Sequence, residues 1–61
     1  MTQIPRMSRA ERDQLIVTAW EIIEDAEPDI STERLFAMVE NDTGADYHRI
    51  IEALERAGIL R

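Results

Sequence analysis

The sequence predicts an all-α fold, a single small domain built from three helices. Three segments repeat apolar residues at helical spacing, a residue able to cap a helix stands before each, and short breaks containing proline or glycine separate them. A chain of 61 residues makes one domain, whose single core rarely contributes more than about 3–5 kcal/mol. Residues 1–7 contain a proline and no apolar periodicity, so we expect a flexible arm there and a domain at residues 8–61.

Helix one is predicted at Arg9–Ala26 from signals at both of its ends. Ser8 and Glu11 have the spacing of a capping box, in which each side chain accepts a hydrogen bond from the other residue's backbone N–H. Pro28 disfavours helical geometry in the residue before it, so the helix is expected to end shortly before that proline.

Helices two and three follow from a second pair of caps and a glycine-containing turn. Ser31 is a suitable N-cap for a second helix of about nine residues. The turn-rich run at residues 41–44 then separates it from helix three. We expect Thr43 to cap helix three, Asp46 to lie in its first turn, and Gly58 to follow its end.

The apolar faces of the three helices predict one core. Its expected members are Leu15, Ala19, Ile22, Ile23, Leu35, Phe36, Val39, Ile50, Ile51 and Leu54. On this assignment Trp20 lies at the edge of the stripe of helix one and Val17 lies outside it. Two roles are then open for Trp20. It is either an anchor in an interface, or it packs over Phe36 or Ile30 in the core of its own chain.

Three helices with a tight turn between the last two have the layout of a helix-turn-helix domain. Three stretches carry a more specific resemblance: STERLF at residues 31–36, Thr43 with Gly44, and IIEALERAGIL at residues 50–60. They resemble the winged-helix family, in which the last stretch closes the recognition helix and leads into the first strand of the wing. The resemblance implies a helix-turn-helix-like bundle that lacks the wing, because the chain stops at Arg61.

The composition favours some classes of partner over others. A net charge of −6 opposes binding to nucleic acid, because affinity for phosphates depends on lysine and arginine, and it favours a protein partner. The chain has no cysteine for a disulfide or a thiolate metal site. It has no apolar run long enough for a signal peptide or a membrane span, so we expect a cytoplasmic protein that does not bind membranes.

The sequence offers no set of residues for catalysis, so we expect no enzymatic activity and no cofactor or metal. His48 is the single histidine, and it has neither a nucleophile to activate nor enough neighbouring ligands for zinc. Its expected role is a solvated pair with Glu52, four residues further along the helix.

The leading hypothesis is a small regulatory or accessory protein that binds a protein partner through its helix-turn-helix-like scaffold. The expected partner or dimer surface consists of Val17, Trp20, Glu21, Glu24 and Asp25. In a homodimer built through helix one, each Trp20 would face its own copy or the Val17 of the second copy. If the two helices run antiparallel, the acidic end of one helix would reach Arg9 or Arg12 of the other.

The alternative hypothesis is a dimeric DNA-binding transcriptional regulator that places helix three in the major groove. The expected contacts are Arg6, Arg9, Arg12, His48, Arg49 and Arg56. Glu52 and Glu55 share the outer face of helix three, where the phosphate backbone would repel their carboxylates. A solvated pair between Glu52 and Arg56, four residues apart, competes with the role of Arg56 in binding DNA.

Overall fold

The computed structural model describes residues 8–60, which form three α-helices joined by short connections. Helix α1 spans Arg9–Ala26, α2 spans Thr32–Thr43, and α3 spans Tyr47–Arg56. The described part of the chain contains no strand, which confirms the predicted all-α fold. The predicted arm at residues 1–7, with Arg6, lies outside the described residues.

Helix α1 begins and ends where the sequence predicted. The Ser8 hydroxyl accepts a hydrogen bond from the backbone N–H of Glu11 at 3.1 Å, and the Glu11 carboxylate accepts one from the N–H of Ser8 at 3.1 Å. This capping box satisfies two of the backbone donors that the start of a helix leaves without partners. At the other end, the N–H of Glu27 donates to the carbonyl of Ile23 at 2.9 Å.

Helix α2 has 12 residues and includes the first three residues, 41–43, of the predicted turn. The Thr43 hydroxyl donates to the carbonyl of Val39 at 2.7 Å, a bond made back along the same helix. The helix is stopped by Gly44, whose φ of 74° lies in the left-handed region and whose N–H donates to Glu40. The break therefore comes from one glycine, and the polar residues before it remain helical.

The N-cap of α3 is Asp46, so the prediction that Thr43 caps this helix is wrong. The Asp46 carboxylate accepts a hydrogen bond from the N–H of Arg49 at 2.9 Å. Thr43 instead ends α2, and its hydroxyl accepts the N–H of Ala45 at 3.2 Å. The end of α3 agrees with the prediction, because α3 ends at Arg56, Ala57 is its C-cap, and Gly58 with a φ of 76° follows that cap.

The three helices bury one core between them. Its buried side chains are Ile16, Trp20, Ile23, Leu35, Phe36, Val39, Ile50, Ala53 and Leu54. The contributions of α2 and most of those of α3 are the ones predicted. The predicted core residues Ala19 and Ile51 are half-buried and pack against this cluster.

Helix α1 presents a different face to the core from the one predicted. Leu15 is 47% exposed and Ile22 is 63% exposed, so their placement in the core was wrong. Ile16 and Trp20 are buried in their place, next to Ile23. Each residue turns a helix by about 100°, so a shift of one position is enough to exchange these two stripes.

Candidate protein-interaction surface

The main exposed apolar feature of α1 is a stripe of four residues, which we call the outer stripe. It consists of Leu15, Ala19, Ile22 and Ala26. Their intervals of four, three and four residues place them along one side of the helix. Leu15, Ile22 and Ala26 are exposed, and Ala19 is half-buried at the border with the core. Two bulky aliphatic side chains therefore stand in solvent on the same face, one on either side of a small residue.

An open groove of about 420 Å³ lies beside the first residue of this stripe. It forms where α1 passes the turn between α2 and α3, and Leu15, Ile16 and Ala45 contribute its apolar surface. Arg12, Arg49 and Asp46 line the same groove. The stripe thus runs at one end into a recess that has both apolar surface and charged side chains, two basic and one acidic.

The charge along α1 becomes more negative from its beginning to its end. Arg9 and Arg12 are exposed in the first turns, where Glu11 and Asp13 offset their charges. The last turn has no basic residue, and the acidic side chains Glu21, Glu24, Asp25, Glu27 and Asp29 are all exposed at or after that end. The outer stripe therefore runs from an end of mixed charge, which holds the arginines of the helix, to an end that is wholly acidic.

Helix α1 is tied to α3 by a bidentate ion pair. The guanidinium of Arg56 donates from Nε to Asp13 Oδ2 at 2.7 Å and from Nη2 to Oδ1 at 3.0 Å. The hydrogen bond from Arg56 lowers the pKa of the Asp13 carboxyl, and the positive charges of Arg9 and Arg49 lower it further. The predicted pair between Glu52 and Arg56 is wrong, because Asp13 takes the hydrogen bonds of that guanidinium.

This arrangement gathers arginines at one end of the molecule. Arg9 and Arg49 act on the same carboxylate that binds Arg56, and Arg12 shares a groove with Arg49. Within the described residues, neither Arg12 nor Arg49 forms a salt bridge. The net charge of −6 therefore does not describe this region, where four arginines lie among the carboxylates of Glu11, Asp13 and Asp46.

The predicted partner surface is only partly exposed. Trp20 is 5% exposed and packs its ring edge against Phe36, with ring centroids 5.0 Å apart at an angle of 72°. Val17 is half-buried and packs against the core. These two side chains belong to the domain's own interior, which is the second of the roles considered for Trp20. The acidic members of the predicted surface are exposed.

The predicted nucleic-acid contacts lie in different environments. His48 is exposed on α3, Arg49 is half-buried in the groove, and Arg56 is bound to Asp13. Arg9 and Arg12 are exposed at the start of α1, and Arg6 lies outside the described residues.

No protein-family model, curated protein or solved structure matches the chain. In residues 8–60, no group of three or more histidine, cysteine, aspartate or glutamate side chains could hold a metal ion. No helix of that part of the chain has the length and apolar character needed to cross a membrane.

Proposed function

We propose that this protein is a small, non-enzymatic regulatory or accessory protein whose outer stripe binds a protein partner. The observation that carries the proposal is the exposure of Leu15 and Ile22 on one face of α1. A single exposed aliphatic residue is ordinary on a protein surface, but aligned ones that form a patch mark interaction sites. The charged groove beside Leu15, lined by Arg12, Arg49 and Asp46, gives the same surface a polar border.

The spacing of the outer stripe favours a helical partner. Intervals of four, three and four residues are those of the seam in a coiled coil, where each side chain inserts between residues of the facing helix. The small side chains of Ala19 and Ala26 allow a second helix to approach closely. A helix with its own apolar stripe is therefore the partner that fits this face.

The alternative function, DNA binding through α3, draws support from the exposed arginines at the start of α1 and from the resemblance to winged-helix domains. Two features oppose it. The guanidinium of Arg56 is held by Asp13, which removes donors that could bind a guanine edge or a phosphate. Glu52 and Glu55 are exposed on the same helix and would be brought towards phosphates.

Site-specific photo-crosslinking in living cells tests which surface is used. A photoreactive amino acid replaces Ile22 on the outer stripe, Glu52 on α3, or Glu33 on α2 as an exposed control. We expect protein adducts from position 22 in much higher yield than from position 33. Nucleic-acid adducts from position 52, with no preference for position 22, would contradict the proposal and support DNA binding.

A further inference from the structure

We propose that the partner of the outer stripe is a second copy of this chain, bound as an antiparallel pair of α1 helices around a two-fold axis. This inference rests on the proposed function, since it names the occupant of the same surface. It replaces a dimer centred on Trp20, which is buried in its own core and has no surface to offer a second copy.

The order of large and small residues favours an antiparallel pair. Along α1 the stripe alternates large, small, large, small, with the four, three, four spacing that is unchanged when the direction is reversed. In an antiparallel pair Leu15 of one copy lies opposite Ala26 of the other, and Ile22 lies opposite Ala19. Every layer then combines a bulky side chain with a methyl group, which fills space evenly. A parallel pair would place alanine opposite alanine and leave gaps.

The charges of α1 favour the same orientation. The register that matches Leu15 with Ala26 brings the first turns of one copy, with Arg9 and Arg12, beside the acidic end of the other, where Asp25 and Asp29 are exposed. Arg56 neutralises Asp13, so these turns keep a positive balance even with Glu11 among them. In a parallel pair the acidic ends would lie together and repel each other. Carboxylates at the end of a helix also oppose its dipole, and arginines from the second copy would compensate for this.

Sedimentation of the purified full chain tests the pairing. We expect a monomer–dimer equilibrium between low micromolar and millimolar concentration, weakened by added salt because the end contacts are ionic. Ile22→Glu should raise the dimer dissociation constant by at least about 100-fold, since the two-fold axis places the change in the interface twice. Ala37→Glu introduces the same charge on the exposed side of α2 and should leave dissociation unchanged.

Each contrary result has a separate meaning. A wild-type monomer over the whole concentration range overturns the homodimer. A dimer that resists Ile22→Glu also overturns it, because another surface must then hold the copies together. In either case, heterologous protein adducts from position 22 in the crosslinking experiment would still support the proposed function. If position 22 gives no protein adduct of any kind, the proposed function fails as well.

Engineered cysteines test the orientation, and the absence of native cysteine makes the result easy to interpret. A chain carrying both Leu15→Cys and Ala26→Cys should form a covalent dimer on mild oxidation. Ala26→Cys alone should not, because antiparallel helices in this register separate the two copies of that position by ~16 Å, beyond the reach of a disulfide. Efficient crosslinking by Ala26→Cys alone would contradict the antiparallel arrangement.

Arg12→Glu tests the end contacts, with a partner variant as its rescue. Alone, it should weaken the dimer by about 10-fold or more, because like charges then meet at both ends. Mixing it with a chain carrying Asp25→Arg should restore association as a heterodimer, in which both ends again pair opposite charges. No weakening by Arg12→Glu, or no recovery on mixing, would overturn the proposed charge pairing.

Discussion

Two apolar stripes of helix α1 have the same residue spacing, but one is buried in the core and the other is largely exposed. Ile16, Trp20 and Ile23 form the inner stripe, which is buried, while Leu15, Ala19 and Ile22 begin one residue earlier and lie largely outside the core. Apolar periodicity shows that a helix has a face to bury, but it does not show which of two adjacent stripes faces the core of its own chain. The apolar stripe that the core does not bury is the surface that we expect a partner to cover.

The large side chain decides between the two stripes. Burying the inner stripe removes the indole of Trp20 from water and packs it on Phe36. Burying the outer stripe instead would leave that ring in solvent, and aromatic side chains dominate the energetics of small cores. Burial of this ring leaves one polar group unsatisfied, because Trp20 Nε1 is buried with no hydrogen-bond acceptor among the described residues.

The largest expected effect comes from removing this ring. Trp20→Ala should destabilise the domain by about 3–5 kcal/mol, which is comparable to the whole stability of a core this small. Leu15→Ala on the outer stripe should cost less than about 1 kcal/mol in the dilute protein, because its side chain is already half in solvent. Thermal unfolding followed by circular dichroism measures both, and similar losses for the two variants would contradict the assignment of the stripes.

The sequence predicts the core residues of a helix correctly where that helix has a single apolar face. Helix α3 offers Ile50 and Leu54 on a single side, and both are fully buried as expected. Helix α1 offers two equivalent stripes, so its rotation depends on contacts with α2 that no local pattern contains. The site was misplaced for the same reason, since the predicted anchor Trp20 became core and the predicted core residue Ile22 became surface.

Two other differences have equally specific causes. Thr43 and Asp46 are both good caps three residues apart, and the choice depends on how far α2 extends before Gly44 turns the chain. The partner of Arg56 lies 43 residues away in Asp13, whereas the sequence alone suggested a carboxylate one helical turn away. Long-range pairs of this kind appear only once the helices are packed.

A smaller loss of stability is expected from changes to the N-cap of α1, the helix that carries both stripes. Ser8→Ala removes the acceptor for the N–H of Glu11 and should cost about 1 kcal/mol. Ser8→Asp keeps an acceptor at the same position and should restore most of this loss. Chemical denaturation measures the two variants side by side, and equal stability of wild type and Ser8→Ala would show that the capping box contributes little.

The ion pair between Asp13 and Arg56 ties α1 to α3, and its contribution to the stability of the fold should depend on pH. Because the folded state lowers the pKa of Asp13, the pair stabilises the fold above the ordinary aspartate pKa of about 4. Its contribution is lost as the pH falls through the lowered value. Asp13→Asn should therefore lower the melting temperature at neutral pH, and the difference from wild type should shrink in acid. A difference that is independent of pH would contradict this role.

The central claim is that the inner stripe of α1 forms the core and the outer stripe binds a second copy. The melting temperature as a function of protein concentration tests it most directly. If the outer stripe holds a second copy, the wild-type melting temperature should rise with concentration, since association stabilises the folded state. Two neighbouring isoleucines provide matched variants. Ile22→Ser should remove the concentration dependence and leave the dilute value nearly unchanged, whereas Ile23→Ser should lower the melting temperature at every concentration. A wild-type value that does not change with concentration, or equal losses from the two variants, would contradict the account.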